Sequence, residues 1–131
     1  MEDNHITDPR ARTFVAALRR FEQDADPAPL ARLFSADATA MRLDARGERA
    51  DVAAFWTEYR EQFHELSTTF VNAVEDDDQV ALEWTTTATL TDDRPLRYRG
   101  VTVIDLDGDD IVALRTYYDT AAFTPVRAGA A

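Results

Sequence analysis

Apolar residues recur at helical spacing near the start of the chain. Thr7-Asp8-Pro9 places a capping side chain before a proline, a combination typical of a helix start. The helix is predicted to run to about Gln23, with an apolar stripe of Phe14, Val15, Leu18 and Phe21. Asp26-Pro27 repeats the start signal, which predicts a second, short helix ended by residues 35–37, with an apolar face of Leu30, Leu33 and Phe34.

A third and longer helix is predicted over residues 49–64, after a short strand at 38–43 and a polar turn. Its apolar stripe is broad, and charged residues occupy the opposite side. Such a stripe packs on a core and can also form one wall of a pocket. The stripe consists of Val52, Phe55, Trp56, Tyr59 and Phe63.

Beyond His64 the pattern changes to the two-residue alternation of strands. Strands are predicted at 66–75, 79–91, 96–106 and 111–119, separated by turns rich in Asp, Gly and Pro. On the first of these strands one face carries Leu66, Thr68, Phe70, Asn72 and Val74, and on the second Val80, Leu82, Trp84, Thr86, Ala88 and Leu90. Helices followed by a strand meander predict an α+β domain with helices on one face of the sheet.

Composition narrows the range of functions. The 131 residues are 45% apolar, contain no cysteine and carry a net charge of −11. Thiolate chemistry is therefore excluded, and nucleic acids and anionic membranes are disfavoured as partners. His5 and His64 have no metal-site spacing, so neither a metal nor another cofactor is predicted. We expect a cytoplasmic protein with one domain at 8–123 and flexible termini at 1–7 and 124–131.

All 14 basic residues are Arg, and Asp outnumbers Glu about two to one. Two explanations stay open, a genome of high GC content and adaptation to high salt. Neither explanation bears on activity.

Several short sequence segments, taken in their order along the chain, resemble the SnoaL-like domains of the nuclear-transport-factor-2-like superfamily. The resemblance covers about residues 10–123. The segments are Leu33-Phe34-Ser35-Ala36-Asp37-Ala38, Phe63-His64-Glu65-Leu66, 77–85, Gly100-Val101-Thr102-Val103 and Arg115-Thr116-Tyr117-Tyr118-Asp119. The resemblance implies a cone-shaped α+β fold, with three N-terminal helices packed on a curved, mainly antiparallel sheet. Members include polyketide cyclases, limonene-epoxide hydrolases, ketosteroid isomerases and non-catalytic proteins, so the fold does not define the function.

The positions that carry catalysis in those relatives hold other residues in this chain. The position of the isomerase base matches about Arg42, which stays protonated at neutral pH, and nearby Asp44 lies past the strand. The hydrolase Arg and two carboxylates match Trp84, Thr86 and Thr116. The cyclase His and Asp match Thr102 and Thr116. Asp119 is a weak candidate acid, and pairing with an Arg at the strand end is the competing interpretation.

The resemblance and the alternation together predict an apolar, aromatic pocket with scattered hydroxyls. Its expected lining residues are Phe55, Tyr59, Asn72, Trp84, Thr86, Tyr98, Thr116 and Tyr118. The competing interpretation is that the large aromatic residues simply fill the core.

Two classes of function remain open. One is binding of a small apolar, polyketide-like or terpenoid-like molecule without strong catalysis. The other is a cyclase, isomerase or hydrolase with a relocated acid–base pair. A titratable group that faces the cavity with a pKa shifted by burial would separate them. A homodimer through the outer face of the sheet is also expected, because that face carries Glu83, Thr85, Thr87, Thr89, Val101 and Val103.

Overall fold

Two helices come first along the chain, and a five-stranded sheet occupies most of the rest. The computed structural model describes residues 5–44 and 46–124. Its elements are α1 (Pro9–Asp24), α2 (Ala28–Ala31), β1 (Phe34–Arg42), α3 (Val52–Arg60), β2 (Phe63–Glu75), β3 (Gln79–Leu90), β4 (Pro95–Asp107), β5 (Asp110–Tyr118) and a final 3₁₀ turn (Thr120–Phe123).

Helix α1 begins where the local sequence predicts. The Asp8 side chain accepts a hydrogen bond from the Arg10 amide (2.8 Å), and Pro9 is the first helical residue. The helix ends at Ala25, whose left-handed backbone (φ 59°) lets its amide bond to the Phe21 carbonyl. The predicted apolar stripe is buried.

The two later helices are shorter than predicted because residues at their predicted ends pair with strands instead. Helix α2 stops at Ala31, and the predicted helical residue Phe34 instead begins β1 and pairs with Ile111. Helix α3 begins only at Val52, after Arg49 has formed a two-way backbone bridge with Ala40. At its other end, residues 63–64 belong to β2 rather than to the helix.

The sheet has the strand order β1-β5-β4-β3-β2. Strand β1 runs parallel to β5, and every other neighbouring pair is antiparallel. The sheet is curved, and the helices pack on its inner face, as predicted. Strands β1 and β2 form its two opposite edges, which places the side chains of these two strands at opposite ends of the inner face.

A β-bulge at Val71 reverses the predicted phase of β2. Phe70 pairs with Trp84, but Asn72 pairs with Glu83, so Val71 is an extra residue on this strand. Leu66, Thr68 and Phe70 are buried as predicted, whereas Asn72 and Val74 are exposed. Strand β3 has no such irregularity, and its six predicted inward residues are all buried.

No helix in the described part of the chain is both long and apolar enough to cross a membrane.

Candidate functional site

One cavity lies between the helices and the inner face of the sheet. Its volume is about 30 Å³, and about 400 Å³ when the open space at its mouth is included. Helices α1 and α3 contribute Leu18, Glu22, Phe55, Trp56 and Tyr59, and the strands contribute Arg42, Thr68, Trp84, Thr86, Thr102, Thr116 and Tyr118. Its walls are predominantly apolar, with a few polar groups, which is the composition of small-molecule sites.

Six of the eight residues predicted for the pocket line this cavity. They are Phe55, Tyr59, Trp84, Thr86, Thr116 and Tyr118. Tyr98 lies behind the wall, where its ring packs on Trp84 and Tyr118 and its hydroxyl bonds to that of Tyr59. Burial raises the pKa of the Tyr59, Tyr98 and Tyr118 phenols, so all three are neutral at physiological pH.

Asn72 does not belong to the cavity, and its predicted inward orientation is wrong. The residue is exposed, and its amide nitrogen donates to Glu83 Oε1 (3.2 Å) on the outer face. The bulge at Val71 is the physical reason, since one extra residue turns every later side chain of β2 to the opposite face.

Asp119 is also placed away from the cavity. It is exposed, and its carboxylate accepts a hydrogen bond from the Ala121 amide (3.0 Å) at the start of the 3₁₀ turn. This is a capping role. Capping explains the position of Asp119 without a role as a catalytic acid or as the partner of an Arg.

In this chain, the strand residues at the relatives' catalytic positions are linked by hydrogen bonds. They form the sheet side of the cavity, which we call its floor. Trp84 Nε1 donates to Thr102 Oγ1 (2.9 Å), which is in turn 2.9 Å from Thr116 Oγ1. On the neighbouring strands, the Thr86 and Thr68 hydroxyls are 2.8 Å apart. These hydroxyls are buried and satisfy one another, so the floor is polar but uncharged.

Gly100 gives the Trp84 indole room to lie across β4. A Cβ atom at position 100 would meet the Trp84 ring carbon Cζ2 and the Tyr117 carbonyl oxygen, both at 2.5 Å. Gly100 and Trp84 stand directly opposite each other on neighbouring strands. Glycine at this position is therefore a requirement of close approach.

Arg42 brings a cation to the β1 end of the cavity. Its guanidinium stacks over the Phe55 ring (4.1 Å to the centroid), and both terminal nitrogens donate to the Phe55 carbonyl (3.2 and 2.9 Å). Asp44 approaches Nε at 3.5 Å from the exterior. Burial lowers the pKa of Arg42, yet a guanidinium remains charged at neutral pH.

Glu22 is the site residue that sequence analysis missed. Its side chain is only 6% exposed and lines the cavity from α1. Thr68 donates to it twice, from its hydroxyl (2.5 Å to Oε2) and from its amide (3.3 Å to Oε1). Burial raises the pKa of this carboxyl group, and the Thr68 bonds and the more distant Arg19 and Arg60 oppose that shift only in part.

A signal for Glu22 was present in the sequence. It follows Leu18 by four residues and Val15 by seven, so it falls on the buried stripe of α1. A carboxylate on an apolar stripe is unusual and indicates a buried acid. Within the described residues, no group of three or more His, Asp or Glu side chains is placed to hold a metal ion.

Comparison with known proteins identifies the family. The model of the SnoaL-like domain matches residues 11–114, which is well over half of the chain, so the chain belongs to this family. No curated protein matches the sequence.

Solved structures show the same fold at low sequence identity. An NTF2-like protein from Anabaena variabilis superposes with a TM-score of 0.79 at 16% identity, covering 86% of this chain and 89% of that one. A hypothetical protein with a ketosteroid isomerase-like fold from Catenulispora acidiphila, in complex with trimethylamine, gives a TM-score of 0.73 at 20% identity, covering 88% of this chain and 90% of that one. IdmH from Streptomyces antibioticus, a candidate polyketide cyclase, gives 0.70 at 19% identity over 88% and 95%.

Proposed function

We propose that this protein binds a small, largely apolar molecule in the cavity. The observation that carries the proposal is the lining itself, in which aromatic rings from α3, β3 and β5 enclose a space with few polar groups. The ring centroid of Tyr118 is 6.0 Å from that of Tyr59 and 6.0 Å from that of Trp84. Such rings offer a ligand large apolar contact areas.

A second candidate function is acid–base catalysis by a relocated group. Glu22 favours it, because a buried carboxyl group with a raised pKa faces the cavity although the relatives' usual positions hold Arg42, Trp84, Thr86, Thr102 and Thr116. A neutral carboxyl group can donate a proton, and an ionised one can remove a proton. The reactions of this kind in the superfamily are cyclisation, isomerisation and hydrolysis.

Binding is tested with para-cymene, a small apolar aromatic molecule, by isothermal titration calorimetry. Trp84→Ala is expected to weaken binding at least tenfold, because a large aromatic contact is lost. Tyr117→Ala is the matched control, since Tyr117 is an aromatic residue on the outer face and is 38% exposed. Absence of binding to the folded wild-type protein, or equal effects of the two substitutions, would contradict the proposal.

Mass spectrometry of the purified protein under native conditions provides a test without a chosen ligand. A co-purified molecule that is absent from Trp84→Ala and present in Tyr117→Ala would identify the natural ligand class directly. Catalysis would then be tested on that molecule with Glu22→Gln, which retains the size of the side chain and cannot ionise.

We also propose a homodimer that buries part of the outer face of the sheet. Val71, Val101 and Tyr117 lie on this face, and Val71 is 54% exposed. Exposed apolar and β-branched residues on neighbouring strands favour association. Sedimentation at micromolar concentration is expected to show a dimer, and Val101→Arg is expected to dissociate it. A wild-type monomer would refute this proposal.

A further inference from the structure

The carboxylic acid and the cation that line the cavity lie at its two ends. Thr68, which holds Glu22, is on edge strand β2, and Arg42 is on edge strand β1. Between these ends the described lining residues are aromatic, aliphatic or paired threonines. Glu22 and Arg42 line the same cavity, so both are accessible to a molecule that occupies it.

Trp56 adds a free donor to the helix side of the cavity. Its indole Nε1 is buried and has no hydrogen-bond partner among the residues that the structure describes. The ring packs on Phe14 and Phe21 of α1, at centroid distances of 6.3 and 6.2 Å, and on Phe55 of its own helix at 5.4 Å. A buried N–H without a partner is destabilising, so an acceptor supplied by a ligand would remove that cost.

The Glu22 end of the cavity carries an acid whose neutral form is favoured by burial. The carboxyl group is in an apolar surrounding that disfavours its ionised form. In its neutral form it carries one O–H donor. Together with the Trp56 N–H, which lines the same cavity, it offers two donors to a neutral acceptor such as a ketone oxygen.

The Arg42 end is suited to an anion. A guanidinium has five N–H donors. The Phe55 carbonyl takes one from each terminal nitrogen, and Asp44 faces Nε at the longer distance of 3.5 Å. One N–H on each terminal nitrogen is left; these two point away from each other, so a ligand carboxylate can accept a hydrogen bond from one of them.

We propose that the ligand is a small, largely apolar keto acid, whose ketone oxygen accepts hydrogen bonds from Glu22 and Trp56 and whose carboxylate pairs with Arg42. This proposal rests on the apolar binding site proposed above. It adds the two functional groups that the ligand carries and their orientation in the cavity.

The test uses three matched probes measured by isothermal titration calorimetry. Para-acetylbenzoate has both groups, acetophenone lacks the carboxylate, and para-ethylbenzoate lacks the ketone. The wild-type protein is expected to bind para-acetylbenzoate about tenfold or more tightly than either of the others, the scale of one hydrogen bond to a charged group or two neutral ones.

Single substitutions assign each preference to a residue. Arg42→Gln is expected to remove the preference for para-acetylbenzoate over acetophenone, whereas Arg32→Gln, at an exposed site on the surface, leaves it unchanged. Trp56→Phe is expected to reduce the preference over para-ethylbenzoate several-fold while retaining the aromatic ring. Circular dichroism verifies that each variant is folded.

The role of Glu22 is tested through pH. Between about pH 5 and pH 9 the other groups that face it keep their charge, namely Arg19 on the same helix, Arg60 from α3 and the phenols of Tyr59 and Tyr98. Affinity for para-acetylbenzoate is expected to fall as rising pH ionises Glu22, because a carboxylate repels the ketone oxygen. Glu22→Gln keeps a neutral donor and is expected to bind equally across this range.

The outcomes separate the two proposals. Equal affinity of the wild-type protein for the three probes would overturn the keto-acid assignment and leave the apolar site in place. A preference that persists in both Arg42→Gln and Trp56→Phe would overturn it as well. If none of the three probes nor para-cymene binds, the apolar site itself is rejected.

Discussion

The two faces of the sheet use the same residue type for different purposes. On β3, Thr86 points inward, is fully buried and bonds to Thr68, while the next residue, Thr87, is exposed on the outer face. The inner threonines hold one another and form a polar floor. The outer ones are β-branched surface suited to a sheet. The comparison shows that strand phase, and not residue type, decides which hydroxyls belong to the site.

The largest difference between the faces is expected at their aromatic residues. Trp84→Ala should lower the free energy of unfolding by about 3–5 kcal/mol, because it empties a packed position and leaves Thr102 without its indole partner. Tyr117→Ala on the outer face of the monomer should cost much less. Urea denaturation measures both, and equal losses would mean that the inner face is no better packed than the outer one.

A smaller loss is expected at the contact between Gly100 and Trp84. Gly100→Ala should cost about 1–3 kcal/mol and alter the near-ultraviolet circular dichroism of tryptophan, because the added methyl group meets the indole ring. Combining it with Trp84→Leu should reduce the cost of the Gly100 substitution. An unchanged cost would show instead that the contact with the Tyr117 carbonyl dominates.

Adjacent threonines give the most direct comparison of the two faces. Thr86→Val should cost about 1 kcal/mol, since it keeps the shape but removes a buried hydrogen bond to Thr68. Thr87→Val, on the exposed face, should change stability by less than about 0.5 kcal/mol. Chemical denaturation of the two variants side by side is the measurement, and a larger effect at Thr87 would contradict the observed strand phase.

The last expected effect is the pH dependence of stability that Glu22 contributes. Because burial raises the pKa of Glu22 in the folded state above its value in the unfolded chain, the folded state binds the proton more tightly. This contribution to stability is present at low pH and is lost as pH rises through the folded-state pKa. Glu22→Gln should therefore gain stability relative to the wild-type protein as pH rises, measured by thermal unfolding from about pH 5 to pH 8. A constant difference would show that Glu22 has no shifted pKa.

Local sequence determined the elements whose signals lie within a few residues. Asp8 and Pro9 define the start of α1, because capping and the fixed proline φ are local effects. The alternation along β3 determined its inward face, and with it Trp84 and Thr86, because a regular strand has a period of two. Together with the family resemblance, these features determined the class of fold and most of the candidate lining residues.

Tertiary structure decided the features that depend on distant partners. Phe34 became a strand residue because Ile111 was available to pair with it, although its local spacing favours a helix. The bulge at Val71 exposed Asn72, and no residue near it signals an extra position in the strand. Glu22 became a buried acid only because β2 brought Thr68 against it and the helices closed over the cavity. A pKa is a property of surroundings, and the cavity that surrounds Glu22 is assembled from five strands and two helices distant in sequence.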